Sequence, residues 1–174
     1  GYCNNKVNKS VQKNISKGNL TTLNCPEEVS LARQIIKHHP WSAMAKFTRS
    51  GGEANALSIR IARAFSNKKN VAFCGYHGWH DWYLSANINS KRNLDQHLMP
   101  GLNYRGIPES LKNTSFPFSY NNFSYLKKLI DKKNIGIIKM EVMRNTQPQN
   151  NFLQKVRKLC DKKKIILIFD ECTS

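Results

Sequence analysis

The chain has 174 residues and carries 28 Lys and Arg against 11 Asp and Glu, which gives a formal net charge of +17. Its hydrophobic fraction of 40% is enough for one packed core and argues against a disordered protein. The longest apolar run, residues 165–169, is far shorter than the roughly 18 residues of a membrane helix. The first residues show neither a signal nor a transit pattern. We therefore expect a cytoplasmic protein with no membrane partner.

The five cysteines are widely separated and form no Cys-x-x-Cys pair, which favours free thiols in a reducing compartment. The positive charge leaves a nucleic-acid-binding protein as an alternative, because Lys and Arg neutralise phosphates. However, twenty of the basic residues are Lys, and they are dispersed along the chain rather than gathered with aromatic residues on one element. We therefore expect no nucleic-acid partner. DNA binding that persists at ~150 mM salt would favour the alternative.

Hydrophobic periodicity predicts helices and strands in alternation. Two N-terminal helices are expected, one over residues 6–17 that ends at Gly18 and one that begins near Pro26. Residues 43–47 are the first strand candidate, and a helix over residues 53–65 follows two glycines. The further strand candidates are residues 71–74, 115–118, 135–140 and 165–169, and the further helices are residues 123–132 and 152–162. Apolar strands that are separated by helices predict an α/β fold with a mostly parallel sheet covered on both faces, a three-layer αβα architecture.

Ligands of open parallel sheets bind beyond the carboxyl ends of the strands. Four sets of residues follow strand candidates and should meet at that edge: Ser50-Gly51-Gly52, Tyr76-His77, Glu141 and Asp170-Glu171. This convergence predicts a ligand site there.

The residue types at this edge point to a phosphorylated aromatic ligand. The amides of Gly51 and Gly52 could bind a phosphate at a helix N-terminus, although strand-to-helix turns also use glycine for steric reasons. Asp170 follows five apolar residues and needs a metal, a cation or a protonated ring nitrogen as its partner, unless it is an N-cap or part of a loop salt bridge. Tyr76 is either a packing aromatic or a platform for a flat ring. His77 and His80 lack the second cluster that a metal site needs, so no metal is predicted. Pyridoxal 5′-phosphate fits this set, and other phosphorylated ligands stay possible.

Three ordered motifs resemble the pyridoxal-phosphate-dependent class III aminotransferases, and most closely their glutamate-1-semialdehyde aminomutase branch. They are Phe-Thr-Arg-Ser-Gly-Gly-Glu-Ala at residues 47–54, Gly-Tyr-His-Gly-Trp-His-Asp at residues 75–81, and Leu-Ile-Phe-Asp-Glu at residues 167–171. The resemblance implies part of the large domain of the fold type I architecture. It also implies an enzyme, a transaminase or a 2,1-aminomutase, which moves an amino group from a small-molecule amino donor to an aldehyde or keto acceptor. Family members usually form homodimers.

The resemblance also implies a role for each residue of the candidate site. Ser50, Gly51 and Gly52 would hold the cofactor phosphate, and Tyr76 with His77 would cover one face of the pyridine ring. Asp170 would pair with the pyridinium nitrogen. The remaining candidates would support this Asp or contact the ring and its hydroxyl: Glu141, Asn145 and Cys172.

The sequence departs from the family pattern at three places. Gly52 stands where the family often has Thr, and Val142 stands where Pro often follows the Glu. The Schiff-base lysine of the family lies downstream of residue 174. We therefore expect a fragment that is inactive alone, with residues 1–40 as an N-terminal helical segment and residues 41–174 as a partial cofactor domain. The family also has two later strands beside the segment before Ser50, so helices rather than strands are expected to hold that turn.

Overall fold

The computed structural model describes residues 2–18, 23, 25–97, 101, 103–143 and 145–173. It contains two compact units, Gly1–Phe47 and Thr48–Ser174. The first unit holds both predicted N-terminal helices, α1 (Asn5–Ile15) and α2 (Pro26–His38). The Asn4 side chain caps α1 by accepting hydrogen bonds from two first-turn amides, and Pro26 occupies the first position of α2.

The second unit is built on a four-stranded sheet. Its strands are β1 (Val71–Cys74), β2 (Ser115–Pro117), β3 (Ile137–Glu141) and β4 (Ile166–Asp170). All pairs are parallel, and the strand order is β2-β1-β3-β4. Glu141 and Asp170 are register partners at the carboxyl ends of β3 and β4. The four predicted strands of this unit are confirmed.

Helices cover both faces of this sheet. On one face α3 (Gly51–Ser66) packs through Ile59 and Ala62 against Val71, Phe73 and Ile137. On the opposite face lie α6 (Phe123–Lys133) and α7 (Phe152–Lys163), which pack on the alternate residues of β1 and β3. Because both faces of β1 and β3 are buried, the sequences of these two strands are mostly apolar and do not alternate with polar residues. The predicted three-layer αβα fold is confirmed.

The strand predicted over residues 43–47 is wrong. The structure assigns no strand there, and the backbone of these residues makes none of the ladder hydrogen bonds that define one. The apolar composition of a segment shows that it is suited to a strand, but strand formation also requires a neighbouring backbone. Helix α3 also begins at Gly51, two residues earlier than predicted, so both glycines lie in its first turn.

The described residues between positions 81 and 111 form three short helices that periodicity does not predict. They are α4 (Asp81–Leu84), α5 (Ala86–Asn89) and a 3-10 turn, Glu109–Leu111. Each is four residues or shorter, which is too short to give a repeating apolar pattern. Within the described ranges, no helix combines the length and the apolar character that membrane crossing requires.

Candidate cofactor site

Asp170 is the centre of a hydrogen-bond network at the carboxyl edge of the sheet. Its Oδ2 lies 2.8 Å from Nδ1 of His77, and its Oδ1 accepts a 3.2 Å bond from the backbone amide of Cys172. The Asn55 side chain donates a further hydrogen bond. Burial alone would raise the pKa of Asp170, but these donors and the charge of His77 outweigh it and lower the pKa to about 2. The carboxylate is therefore held as an anion.

The two nitrogens of the His77 ring have different partners. Nε2 lies 3.1 Å from the carbonyl oxygen of Cys74, which can only accept, so the proton of that bond is on the ring. Nδ1 faces the Asp170 carboxylate, which the lowered pKa keeps ionised. Both ring nitrogens therefore face an oxygen atom, and His77 links the Asp170 carboxylate to the carbonyl of Cys74.

Aromatic side chains fix the plane of this imidazole. Trp82 stacks on it with centroids 6.1 Å apart, and Phe73 and Tyr83 contact it edge-on. His77 is completely buried. An imidazole that is enclosed in this way loses little further conformational freedom when a ligand binds. Because this ring contacts Asp170, it holds the carboxylate in one orientation before any ligand binds.

Helix α3 supplies two parts of this region, an N-terminal turn with its amides and a partner of Asp170. Ser50 is its N-cap and forms a capping box with Glu53, which leaves the amides of Gly51 and Gly52 without a partner inside the helix. One turn further along, Asn55 reaches Asp170. Asn55 was not among the residues predicted from the sequence, because its partner Asp170 lies far downstream in the chain.

Cys172 connects the two parts of the site. Its amide bonds to Asp170, and its Sγ lies 3.8 Å from the position that a Cβ on Gly51 would take. The structure thus brings together the predicted residues Ser50, Gly51, Gly52, His77, Asp170 and Cys172.

The other predicted residues lie around this network. Glu141 is buried and is the register partner of Asp170, while its carboxylate covers Gly75. Asn145 is exposed and lines, with Glu141, a cavity of about 410 Å³. Tyr76 is half-buried and meets Tyr83 edge-on. Three titratable side chains near the site were assigned no role from the sequence: His80, His97 and Lys139.

Gly75 provides a direct test of this packing. Its φ is +104°, and a Cβ there would lie 2.3 Å from Oε2 of Glu141. We expect Gly75→Ala to lower the free energy of unfolding by about 2–4 kcal/mol, from backbone strain and overpacking together. Gly106→Ala is the matched control, since its φ is +91° and nothing lies within 4 Å. Urea unfolding should show a loss of only about 1 kcal/mol for that control, and equal losses would contradict the contact with Glu141.

The sequence matches the aminotransferase class-III family over residues 1–174. The chain belongs to this family. It is 34% identical over 177 residues to a glutamate-1-semialdehyde 2,1-aminomutase from Sulfolobus acidocaldarius, with 98% of this chain and 41% of the relative covered. This chain therefore spans about two fifths of the length of that relative. The predicted family is confirmed, and with it pyridoxal phosphate as the family's cofactor.

Solved structures confirm the fold of this class III chain. An omega-transaminase from Sphaerobacter thermophilus superposes with a TM-score of 0.80 at 22% identity, covering 98% of this chain and 41% of that protein. A taurine:2-oxoglutarate aminotransferase from Bifidobacterium kashiwanohense, in complex with PLP and glutamate, superposes with a TM-score of 0.78 at 17% identity. This superposition covers 98% of this chain and 43% of that protein. None of these three relatives is named as a nucleic-acid-binding protein.

The residues present fit pyridoxal phosphate. An anionic Asp170 suits a protonated ring nitrogen, and the amides of Gly51 and Gly52 suit a phosphate. Nδ1 of His80, beside Gly52, is a buried polar atom with no partner among the described residues. The described part of the chain contains no group of three or more His, Cys, Asp or Glu side chains that could hold a metal.

Proposed function

We propose that this chain forms the phosphate-binding and ring-binding part of a pyridoxal-phosphate site in an enzyme that transfers amino groups. The observation that carries the proposal is the Asp170 network. An anionic carboxylate held by His77, Asn55 and the Cys172 amide is joined through Cys172 to the free amides at the start of α3.

Each residue has a defined task in this proposal. The bound cofactor supplies an electron-accepting ring that stabilises negative charge at the substrate carbon. Asp170 holds a proton on the ring nitrogen, and its 2.8 Å hydrogen bond with His77 keeps the carboxylate orientated. Asn55 fixes the same carboxylate from α3. The amides of Gly51 and Gly52, with the Ser50 hydroxyl, bind the phosphate.

Three further residues complete the proposed site. We assign Tyr76 to one face of the ring, where an aromatic side chain packs well on a flat heterocycle. We assign Glu141 and Asn145, which line one cavity beside Gly75, to the edge of the ring that carries the hydroxyl.

The proposed substrates are a small-molecule amino donor and an aldehyde or keto acceptor. The Sulfolobus relative is named as an aminomutase and the two solved structures as transaminases. The proposal covers both reactions, since both move an amino group between two carbons.

We further propose a homodimer in the cytoplasm. The apolar face of α1 supports the homodimer, because Val7, Val11 and Ile15 are each more than half exposed.

The test uses the complete protein. Purified protein should bind pyridoxal phosphate and, with an amino donor, convert a keto or aldehyde acceptor into the amine, measured by mass spectrometry of ¹⁵N transfer. Isomerisation of a single amino aldehyde with no second product identifies a mutase, and formation of a keto or aldehyde product from a separate amino donor identifies a transaminase. Absence of cofactor binding would contradict the proposal. Light scattering with size exclusion should give twice the protomer mass.

A further inference from the structure

We propose that His80 is a phosphate-binding residue of this site and that Gly52 has no side chain in order to admit the His80 ring. The inference rests on the proposed function, because the phosphate in question is that of the cofactor. It concerns a residue that the resemblance to the family gave no role.

The first observation is the space beside Gly52. A Cβ on Gly52 would lie 2.9 Å from Cε1 of His80, closer than real Cβ atoms approach, and 3.0 Å from its Nδ1, which is a tight contact. Gly52 is a helical residue, so no unusual backbone conformation explains the glycine. The imidazole therefore occupies the volume in which a side chain at position 52 would lie.

The second observation is the state of Nδ1. This atom is buried and has no hydrogen-bond partner among the described residues. Buried polar atoms are nearly always paired, and an unpaired one calls for a ligand, an ion or a water molecule. His80 is the N-cap of α4 but makes no cap hydrogen bond with its side chain, so α4 does not account for Nδ1.

The third observation is what surrounds this nitrogen. Nδ1 lies beside the first turn of α3, where the amides of Gly51 and Gly52 point outward. Gly78 closes the other side: a Cβ there would lie 3.0 Å from Cα of Gly52 and 3.8 Å from Nδ1 of His80. Trp79 stacks on the ring with centroids 5.2 Å apart, which fixes the direction of Nδ1. A third donor beside two helix amides matches a group with three terminal oxygens.

The experiment compares the affinity of the complete protein for pyridoxal phosphate and for pyridoxal, which lacks the phosphate. We expect His80→Ala to weaken pyridoxal phosphate binding roughly 10- to 100-fold, the loss of one hydrogen bond to a charged group. Pyridoxal binding should stay within about threefold of the wild type. His80→Asn should retain most of the affinity, because its amide nitrogen can reach the position of Nδ1, whereas His80→Gln should not.

A double variant tests whether the His80 ring occupies the space of a side chain at position 52. Gly52→Ser should weaken binding in the presence of the His80 ring, and Gly52→Ser with His80→Ala should bind more tightly than His80→Ala alone, since the hydroxyl then fills the vacated space. The ³¹P resonance of the bound cofactor should shift in His80→Ala and return towards the wild-type position in His80→Asn.

Two outcomes separate this inference from the proposed function. A wild-type protein that binds neither compound overturns both. A wild-type protein that binds pyridoxal phosphate, with His80→Ala showing the same affinity and the same ³¹P resonance, overturns the role of His80 and leaves the proposed function standing.

Discussion

Asp170→Asn should lower the turnover of the complete enzyme about 10²–10³-fold, the usual effect of removing one preorganised electrostatic partner of the reacting group. Asp170 is an anion with a pKa of about 2, and an amide in its place carries no charge to keep the ring nitrogen protonated. Steady-state rates at saturating amino donor measure the effect, and the cofactor content of each preparation is determined separately.

Asp161→Asn is the matched control for Asp170→Asn. Asp161 is exposed on α7 and pairs with the exposed Arg157. Surface pairs of this kind contribute little, so its rate should equal that of the wild type. If Asp170→Asn retained more than about a tenth of the wild-type rate, the assignment of Asp170 to the ring nitrogen would be wrong.

Lys139→Met should raise the free energy of unfolding by about 3 kcal/mol at pH 7, where a buried charge is removed. Lys139 is 2% exposed, and its Nζ donates a 3.1 Å hydrogen bond to Ser58. Burial lowers its pKa from 10.5 to about 8, and the charge of Asp170 offsets only part of this effect. Ser58 keeps a partner in the variant, since its hydroxyl donates to the Asn55 carbonyl.

The pH dependence of this difference gives the sharper test. Between pH 8 and 10.5 the unfolded wild type holds the Lys139 proton and the folded protein does not, so wild-type stability rises with pH across this interval. The advantage of the Met variant should therefore be largest below pH 8 and disappear above 10.5. Lys128→Met, an exposed control on α6, should show no such trend in urea unfolding. A constant difference across this range would mean that Lys139 is not buried as a charge.

Local patterns in the sequence predict much of this fold but few of the side-chain contacts within its site. Strands β3 and β4 are largely apolar runs, and amphipathic α6 and α7 show helical periodicity, so both kinds of element are visible in the local sequence. Asp170 was recognisable as a carboxylate at a strand end. The contacts of Asn55 and His80 depend on residues more than twenty positions away in the chain, so no local pattern reveals them.

The segment before Ser50 illustrates the same limit. Its residues have strand-forming composition, but pairing is decided by the neighbouring backbone. Lys139 is a case in which the sequence leaves two possibilities. A lysine inside an apolar run indicates either a strand at the edge of the sheet or a buried charged side chain. Only the packing of α3 on that face of the sheet decides between them.

The single helix α3 also limits which molecules the site can accept. Its free amides begin at Gly51, and Asn55 supports Asp170 four residues later, a rise of about 6 Å along a helix axis. Because the helix is rigid, the separation between anion and ring nitrogen is set by the backbone rather than by mobile side chains. The site therefore selects ligands in which a phosphate and a ring nitrogen lie this far apart. We expect inorganic phosphate or an unphosphorylated pyridine to bind at one end of the site only, and so with lower affinity than a ligand that binds at both ends.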